Sequence, residues 1–247
     1  MKESSFIIGR QPLLEAIESG KNIEKIYLQN NSTGETIQMI RELAAKHHIP
    51  IRQVPLEKLQ SLTRGNHQGC VAVAAIVSYI ELQKMIEISF SQTGAPLFLM
   101  LDGITDVRNI GAIARSALCY GAQGIIIPDK GVGALNEEAM KTSAGALNRL
   151  LVSRVNSLAH AVDTLHLTGV RVLATQMKAT KKVSEIDLRT PSCVILGSED
   201  RGVQNFLLKA ADELFSIPMA GGFDSLNVSV AAGIILYEAI RQRMQTH

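Results

Sequence analysis

The stretch Leu97-Phe-Leu-Met-Leu-Asp-Gly-Ile-Thr-Asp-Val-Arg-Asn-Ile-Gly-Ala-Ile-Ala-Arg115 indicates how this chain folds. It begins with an apolar run, Leu97–Leu101, which is typical of a strand buried on both faces of a sheet. A polar loop follows, and from about Asn109 onward apolar residues recur at the spacing of one helix face. A buried strand that leads into a helix is the repeating unit of an α/β sheet.

The same alternation of strands and helices extends over most of the 247 residues. Helical segments such as Ile37–His47 and Ile110–Cys119 lie between short runs that are typical of strands. The other predicted strands are Lys25–Leu28, Ile51–Val54, Cys70–Val77, Gly124–Pro128, Leu151–Val155, Val170–Thr175, Cys193–Leu196 and Leu214–Ile217. We therefore predict an α/β fold with a parallel sheet that is covered on both faces.

A change in local composition predicts two domains. A connecting helix is predicted at Ser78–Phe90, and turn residues follow at Gln92–Pro96, before the next buried strand. We expect a first domain at residues 1–77, a linker at 78–95 and a second domain at 96–247.

Composition excludes several classes of protein. Apolar residues make up 46% of the chain and charged residues 19%, which provides a core and excludes wholesale disorder. No apolar run reaches the roughly 18 residues of a membrane span, and the N-terminus lacks the apolar segment of a signal peptide. We therefore expect a cytoplasmic protein with no membrane partner.

Disulfide and metal chemistry are not expected. Cys70, Cys119 and Cys193 are widely separated, and the six histidines show no metal-ligand spacing. The net charge of +2 and the aromatic content of 4% restrict any RNA contact to a local patch. The first domain offers one basic set, which comprises Arg10, Lys21, Lys25, Arg52 and Arg64.

Three segments carry polar residues and glycines just after predicted strands, where open α/β sheets bind ligands. The first segment has two interpretations. In one, Asn109 is the N-cap of a helix and Arg115 is a solvated surface residue. In the other, Arg115 is placed to hold a phosphate. The second, Val194–Gly202, matches neither a P-loop nor a dinucleotide fingerprint, and Gly197 is explained by a turn with positive φ.

The third segment, Phe215–Ser229, leads into an apolar helix that extends to about Arg243. Ser225 or Asp224 is expected to cap this helix. Because the helix is apolar nearly all round, we predict that it contributes to a homodimer interface.

Together, the three segments resemble the three sequence motifs of the SpoU (TrmH-like) branch of the SPOUT RNA methyltransferases. The matching residues are Asp106–Arg115, Ile195–Gly202 and Ile217–Ser229. In addition, Gly9–Ala16 and Asn66–Ala72 resemble the substrate-binding domain of RlmB-like members, which methylate a guanosine ribose in large-subunit ribosomal RNA. One departure is Asp200-Arg201, where many relatives have glycine followed by lysine or another residue.

This resemblance implies transfer of a methyl group from S-adenosylmethionine to a ribose 2′-hydroxyl of RNA. It also implies a homodimer, a SPOUT domain with a C-terminal trefoil knot, and a small L30e-like RNA-binding domain before it. Ribosomal RNA is the expected substrate and transfer RNA the alternative. A catalytically silent RNA-binding or ribosome assembly factor on the same scaffold is a second alternative, whereas a nucleotide-dependent oxidoreductase lacks its fingerprint.

The resemblance further implies roles for individual residues. Arg115 would reach the substrate phosphate or the 2′-oxygen from the other subunit. Asn109 and Asn227 would orient the substrate or Arg115, while Glu199 fixes its loop or pairs with a cation, and Ser225 hydrogen-bonds near the reacting groups. The implied cofactor-binding residues are Thr175, Gly197, Ile217, Met219 and Leu226.

Overall fold

The structure is a computed structural model that describes residues 6–133, 135–221 and 225–245. The chain forms two compact units, which divide between Ser78 and Tyr79. Both units alternate strands with helices, so the predicted α/β class is confirmed. Among the described helices, none is long and apolar enough to cross a membrane.

The first unit is built on a four-stranded sheet with the order β1-β4-β2-β3. Its β2 and β3 are parallel, but β4 lies between β1 and β2 and is antiparallel to both. The elements are β1 (Phe6–Ile8), α1 (Arg10–Glu18), β2 (Ile23–Gln29), α2 (Glu35–Lys46), β3 (Ile51–Val54), α3 (Leu56–Leu62) and β4 (Cys70–Ala74). The prediction of parallel pairing was therefore wrong for β4, because alternation of strands and helices does not fix strand direction.

The first unit buries one apolar cluster between its helices and its sheet. Leu13 and Ile17 of α1 and Ile40 of α2 are fully or almost fully buried there, together with Ile26 and Leu28 of β2. This core fixes β1, β2 and β4 relative to α1 and α2, and it thereby determines where the loops that join these elements begin and end.

The second unit is built on an eight-stranded sheet with the order β10-β12-β9-β11-β6-β7-β8-β5. Every strand pair in it is parallel, as predicted. The strands are β5 (Tyr79–Ile80), β6 (Leu97–Asp102), β7 (Gly124–Pro128), β8 (Leu151–Val155), β9 (Arg171–Thr175), β10 (Lys181–Lys182), β11 (Ser192–Gly197) and β12 (Glu213–Ser216). The helices are α4 (Leu82–Gln92), α5 (Val107–Cys119), α6 (Glu137–Thr142), α7 (Leu158–Leu167), α8 (Asn205–Ala210) and α9 (Val228–Met244), with short 3₁₀ turns at Ala146–Asn148 and Val183–Glu185.

The strand order places two strands from distant parts of the chain side by side. From β6 the chain continues to β7 and β8 on one side, whereas β11 and β9 lie on the other side. The carboxyl ends of β6 and β11 are therefore neighbours, with Gly197 opposite Asp102. A reversal of strand order of this kind opens a crevice in which α/β proteins bind ligands.

Residues 79–95, which the sequence assigns to a linker, contribute to the second unit. Strand β5 pairs with β8, and α4 buries Leu82, Met85 and Ile86 in the core of the sheet. Met85 is packed closely, because a Cβ on Gly124 would lie 2.6 Å from its sulfur. A helix that links two domains and a helix that packs against a sheet show the same amphipathic pattern. The sequence alone therefore could not assign this helix to the second unit.

Candidate active site

Helix α5 begins earlier than Asn109. Its N-cap is Asp106, whose carboxylate accepts a hydrogen bond of 2.8 Å from the backbone N–H of Arg108. The Arg108 side chain also binds this carboxylate, and its hydrogen bond is the main reason why the pKa of Asp106 is lowered. The prediction of Asn109 as the N-cap was wrong, since Asp106 serves that function and leaves the Asn109 side chain available for another contact.

The three segments each contribute one polar residue to a hydrogen-bonded cluster, in which two asparagines bind the carboxylate of a glutamate. Glu199 Oε1 accepts hydrogen bonds from Asn109 Nδ2 at 3.2 Å and from Asn227 Nδ2 at 2.6 Å. The backbone N–H of Val228 is a third donor to the same oxygen, at 3.2 Å. Asn227 Nδ2 also lies 3.0 Å from Asn109 Oδ1. We refer to Asn109, Glu199 and Asn227 as the Glu199 cluster.

Asn227 also starts helix α9. Its Oδ1 accepts hydrogen bonds from the backbone N–H groups of Ser229 at 2.9 Å and Val230 at 3.4 Å, and from Ser229 Oγ at 2.6 Å. The predicted cap at Ser225 was therefore wrong, because α9 begins at Val228 and a cap must stand directly before the first helical residue. The alternative cap, Asp224, lies outside the described residues.

The loop after β11 requires glycine at the last residue of the strand, Gly197. A Cβ on Gly197 would lie 2.1 Å from the carbonyl carbon of Gly202, so the backbone of the loop closes directly against it. The closure is held by a hydrogen bond of 2.8 Å from Gly202 N–H to the Ser198 carbonyl. Positive φ occurs at Gly202, at +66°, and not at Gly197, so the explanation of Gly197 by a left-handed turn was wrong.

A buried aspartate fixes the far end of the same loop. Asp102, at the end of β6, is only 2% exposed. Its carboxylate accepts hydrogen bonds from the backbone N–H of Gln204 at 2.7 Å and from Gln204 Nε2 at 2.5 Å. The sequence analysis did not predict this pair. An aspartate at the end of a fully buried strand does indicate that a hydrogen-bonding partner is present, because buried carboxylates require partners.

An open cleft of about 430 Å³ lies beside the Glu199 cluster. Its walls are formed where β9, β11 and β12 end, and by the loop before α9. Glu199 and Ser225 lie along it, and so do all the residues that the resemblance assigned to the cofactor, namely Thr175, Gly197, Ile217, Met219 and Leu226. The sequence did not indicate several further lining residues, which include Met177, Lys178, Asn205 and Leu208.

Arg115 lies apart from the cleft and from the Glu199 cluster. It follows Asn109 by six positions on α5, which places the two residues about 120° apart around the helix and about 9 Å apart along it. Its side chain is exposed and makes no hydrogen bond or ion pair within the part of the chain that the structure describes. The structure therefore leaves this guanidinium available for a partner molecule.

The fold and the site define an α/β protein with a small N-terminal unit and a ligand cleft at the switch point of a parallel sheet. Residues 96–237 match the SpoU rRNA Methylase family, and residues 6–80 match the family described as RNA 2′-O ribose methyltransferase substrate binding. The chain belongs to the SpoU rRNA methylase family. It is an RNA methyltransferase that uses S-adenosylmethionine.

Similar proteins align over most of this chain. It is 34% identical over 242 residues to the putative TrmH family tRNA/rRNA methyltransferase YacO of Bacillus subtilis, covering 98% of this chain and 97% of that protein. It is 34% identical over 224 residues to the 23S rRNA (guanosine-2′-O-)-methyltransferase RlmB of Pseudomonas aeruginosa, covering 90% of each. The solved structure of AviRb from Streptomyces viridochromogenes with AdoMet covers 97% of this chain and 90% of its own, with 25% identity and a TM-score of 0.61.

The residues along the cleft fit S-adenosylmethionine. The cleft volume lies in the range of about 300–1,000 Å³ that is typical of small-molecule sites. Glu199 and Asp200 offer negative charge to its sulfonium and amino groups, and Lys178 and Arg201 offer positive charge to its carboxylate. The apolar side chains of Ile217, Met219 and Leu226 suit its adenosine portion.

Proposed function

We propose that this chain methylates the ribose 2′-hydroxyl of a guanosine in large-subunit ribosomal RNA, and that it acts as a homodimer. The observation that carries the proposal is the Glu199 cluster, which joins the three motif segments beside the cofactor cleft. Within the proposal, residues 1–77 recognise the RNA and residues 96–247 carry out the transfer.

Ribosomal RNA is favoured over transfer RNA because the rRNA-methylating relative aligns with more of this chain than the two tRNA enzymes do. The RlmB relative aligns with 90% of this chain, which includes most of the first unit. Two solved structures are described by their action on tRNA. The A. aeolicus TrmH/SpoU tRNA modifying enzyme covers 67% of this chain, and the structure concerned with 2-OH methylation of C/U34 on tRNA covers 62%. A substrate-binding unit with a counterpart in the rRNA enzyme supports an rRNA substrate.

When bound, S-adenosylmethionine supplies a methyl group carried on a positively charged sulfur. The task of the protein side chains is to hold the 2′-oxygen in line with that methyl group and to stabilise the oxygen as its proton leaves. The Glu199 cluster fixes the loop at Ser198–Gly202 and the start of α9, so it sets the shape of the cleft. In this proposal Asn109 and Asn227 orient the substrate or Arg115, and Ser225, which lines the cleft, hydrogen-bonds near the reacting groups.

Arg115 supplies the positive charge in this proposal, and it comes from the second subunit. Arg115 lies outside the described lining of the cleft of its own chain. A guanidinium next to the 2′-oxygen or the adjacent phosphate stabilises the developing negative charge.

The exposed apolar face of α9 supports the homodimer. Val230 is 50% exposed and Tyr237 is 55% exposed, and Ile234 lies between them on the same helix face. Tyr120 at the end of α5 packs edge-on against Tyr237, with ring centroids 6.3 Å apart. This apolar stripe extends from α9 to the end of α5, the helix that carries Arg115.

A methyl-transfer assay with separated substrates tests the proposal. Purified protein is incubated with methyl-labelled S-adenosylmethionine and with either unmodified large-subunit rRNA or unmodified tRNA. We expect label in the rRNA, recovered as 2′-O-methylguanosine after nuclease digestion. Label only in tRNA would support the alternative substrate, and cofactor binding without transfer to any RNA would support a silent binding factor.

A further inference from the structure

The first unit contains a second cavity, of about 700 Å³, that the proposed transfer chemistry does not use. It opens at the loop between α3 and β4, next to the start of α1. Arginine, histidine and amide side chains line it, and no aspartate or glutamate is found among its described lining residues. We call it the amide cavity, and its defining residues are Arg10, Gln60, Arg64, Asn66, His67 and Gln68.

Hydrogen bonds hold the wall of the amide cavity in a fixed shape. Gln68 adopts a left-handed conformation with φ of 48°, which is uncommon for a residue other than glycine. Its carbonyl accepts a hydrogen bond of 2.9 Å from Arg10 Nε, and its side chain accepts one of 3.1 Å from the Arg10 backbone N–H. His67 Nδ1 accepts a further hydrogen bond, of 3.1 Å, from Gly69 N–H. Arg10, His67 and Gln68 therefore serve to shape the cavity.

Three further polar side chains that line the cavity have no partner within the described parts of the chain. Gln60, Arg64 and Asn66 are exposed, and no hydrogen bond or ion pair engages their side chains there. Two of them are amides, each of which offers two donors and an acceptor, and the third is a guanidinium with five donors. A rigid wall that presents a cation beside free amides suits a ligand with a phosphate and a polar ring edge.

An unpaired RNA nucleotide has this combination of groups. Proteins recognise RNA sequence chiefly where bases are unstacked and expose their hydrogen-bonding edges, whereas the bases of a duplex face a groove that side chains cannot read. Arginine binds phosphate through paired hydrogen bonds, and the absence of carboxylates from the described wall removes repulsion. Phenylalanine, tyrosine and tryptophan are absent from the described wall, and the ring of His67 is held by Gly69, so recognition would depend mainly on hydrogen bonds.

We propose that the amide cavity binds one unpaired nucleotide of the RNA substrate, with Arg64 on the phosphate and Gln60 and Asn66 on the edge of the base. This inference rests on the proposed function, because it takes RNA as the substrate, and it names the part of the first unit that contacts it.

The test measures RNA affinity of the full chain and three variants at several salt concentrations. The probes are short oligo-A, oligo-C and oligo-U RNAs and an RNA duplex. The variants are Arg64→Gln and Asn66→Ala, with Arg52→Gln as the matched control. Arg52 belongs to the same basic set of the first domain and is also exposed without a partner in the described structure, but it lies on β3 and outside the amide cavity. It therefore separates a contribution of the cavity from a general contribution of the basic set.

We expect Arg64→Gln to weaken binding of the single strands about tenfold and to lower the slope of log affinity against log salt by about 0.7. Asn66→Ala should reduce the preference among the three oligonucleotides and leave the salt slope unchanged, and Arg52→Gln should have a clearly smaller effect than Arg64→Gln. Equal effects of the two arginine variants, or no binding of the single strands, would overturn the proposal, as would equal affinity for single strands and duplex. Cofactor binding is measured by calorimetry on the same proteins. Normal cofactor binding together with unchanged RNA binding in Arg64→Gln would overturn only the role of the cavity, whereas loss of cofactor binding in the unchanged protein would count against the proposed function.

Discussion

At the scale of single residues, Glu199 determines how the site is assembled. One of its oxygens accepts hydrogen bonds from Asn109, Asn227 and the backbone of Val228, which belong to two different helices. Glu199 and Asn227 are exposed, so solvent competes for these hydrogen bonds and each contributes about 0.5–1.5 kcal/mol.

We expect Glu199→Gln to lower the rate of methyl transfer by at least about tenfold, because an amide is a weaker acceptor and adds N–H donors to a site that already has three. Methyl transfer and thermal unfolding are measured on the same preparation. Asp163→Asn is the control, since Asp163 is an exposed acid on α7 with no partner in the described structure. Full activity of Glu199→Gln would show that the cluster does not shape the site.

Arg115→Ala should abolish transfer while leaving the fold and the affinity for S-adenosylmethionine nearly unchanged. The side chain is exposed and makes no hydrogen bond or ion pair in the described structure, so its removal costs no such interaction there. Arg115→Lys should also be poor if paired contacts with a phosphate are required. Arg149→Ala, at an exposed arginine of the same unit, serves as the control. Turnover of Arg115→Ala near that of the unchanged protein would remove Arg115 from the mechanism.

Sequence reasoning found the residues of the Glu199 cluster but not their contacts. Asn109 and Asn227 are 118 positions apart, and periodicity carries no information about which distant residues meet. The cap of α5 was missed because the apolar stripe begins at Ile110, whereas the helix begins three residues earlier, at Val107. The pairing of Asp102 with Gln204 depends on the adjacency of β6 and β11, which only the strand order provides.

At the scale of elements, the loop after β11 is the part of the site with the least tolerance for change. Gly197→Ala places a methyl group 2.1 Å from the Gly202 carbonyl carbon, so the loop must open and the wall of the cleft must move. We expect a loss of at least about tenfold in cofactor affinity and a destabilisation of about 1–3 kcal/mol. Calorimetry and denaturant unfolding measure the two effects.

Gly94→Ala provides the matched control, because nothing lies within 4 Å of the added methyl group and no positive φ is required there. It should bind the cofactor normally. If Gly197→Ala behaves like Gly94→Ala, close packing of the loop does not control the cleft.

The sequence predicted the larger elements well and the smallest ones poorly. All of the predicted strands occur, because buried runs such as Leu97–Leu101 are apolar throughout. Three of them, Ile51–Val54, Gly124–Pro128 and Leu151–Val155, have the predicted ends, and the others are shifted at one or both ends. The strands β1, β5 and β10 contain only two or three residues, which is too few for a periodic pattern. Their pairing is determined by the neighbouring strands.

At the scale of the whole molecule, the proposed homodimer combines the α9 stripe with Arg115. Ile234→Asp should convert the dimer to a monomer and stop methyl transfer, because it places a charge within the apolar contact. Light scattering measures the oligomeric state. Leu167→Asp, at a residue that is 89% exposed on α7, should remain dimeric. A fully active monomer at micromolar concentration would contradict the proposal.

A heterodimer of two inactive variants tests whether Arg115 acts across the interface. One subunit carries Arg115→Ala and the other carries Glu199→Gln, and different affinity tags allow the mixed dimer to be purified. If each site takes Glu199 from one subunit and Arg115 from the other, one site remains intact, and about half of the normal activity should return. No recovery would place both residues in the same subunit.

The family resemblance supplied what composition could not, which is the reaction and its cofactor. A net charge of +2 and few aromatic residues gave no indication of RNA as a partner. The C-terminal trefoil knot that the resemblance implies stays a prediction, and so does the L30e-like character of the first domain. Both concern the path of the chain, which local sequence patterns do not encode.

The most direct test of the proposed function is a map of ribose methylation in total RNA from cells with and without the gene for this chain. We predict that its loss removes 2′-O-methylation at one guanosine of large-subunit ribosomal RNA and leaves tRNA unchanged. The unaltered gene should restore the methyl group, whereas the Arg115→Ala gene should not. An rRNA methylation map that is identical with and without the gene would contradict the proposed function.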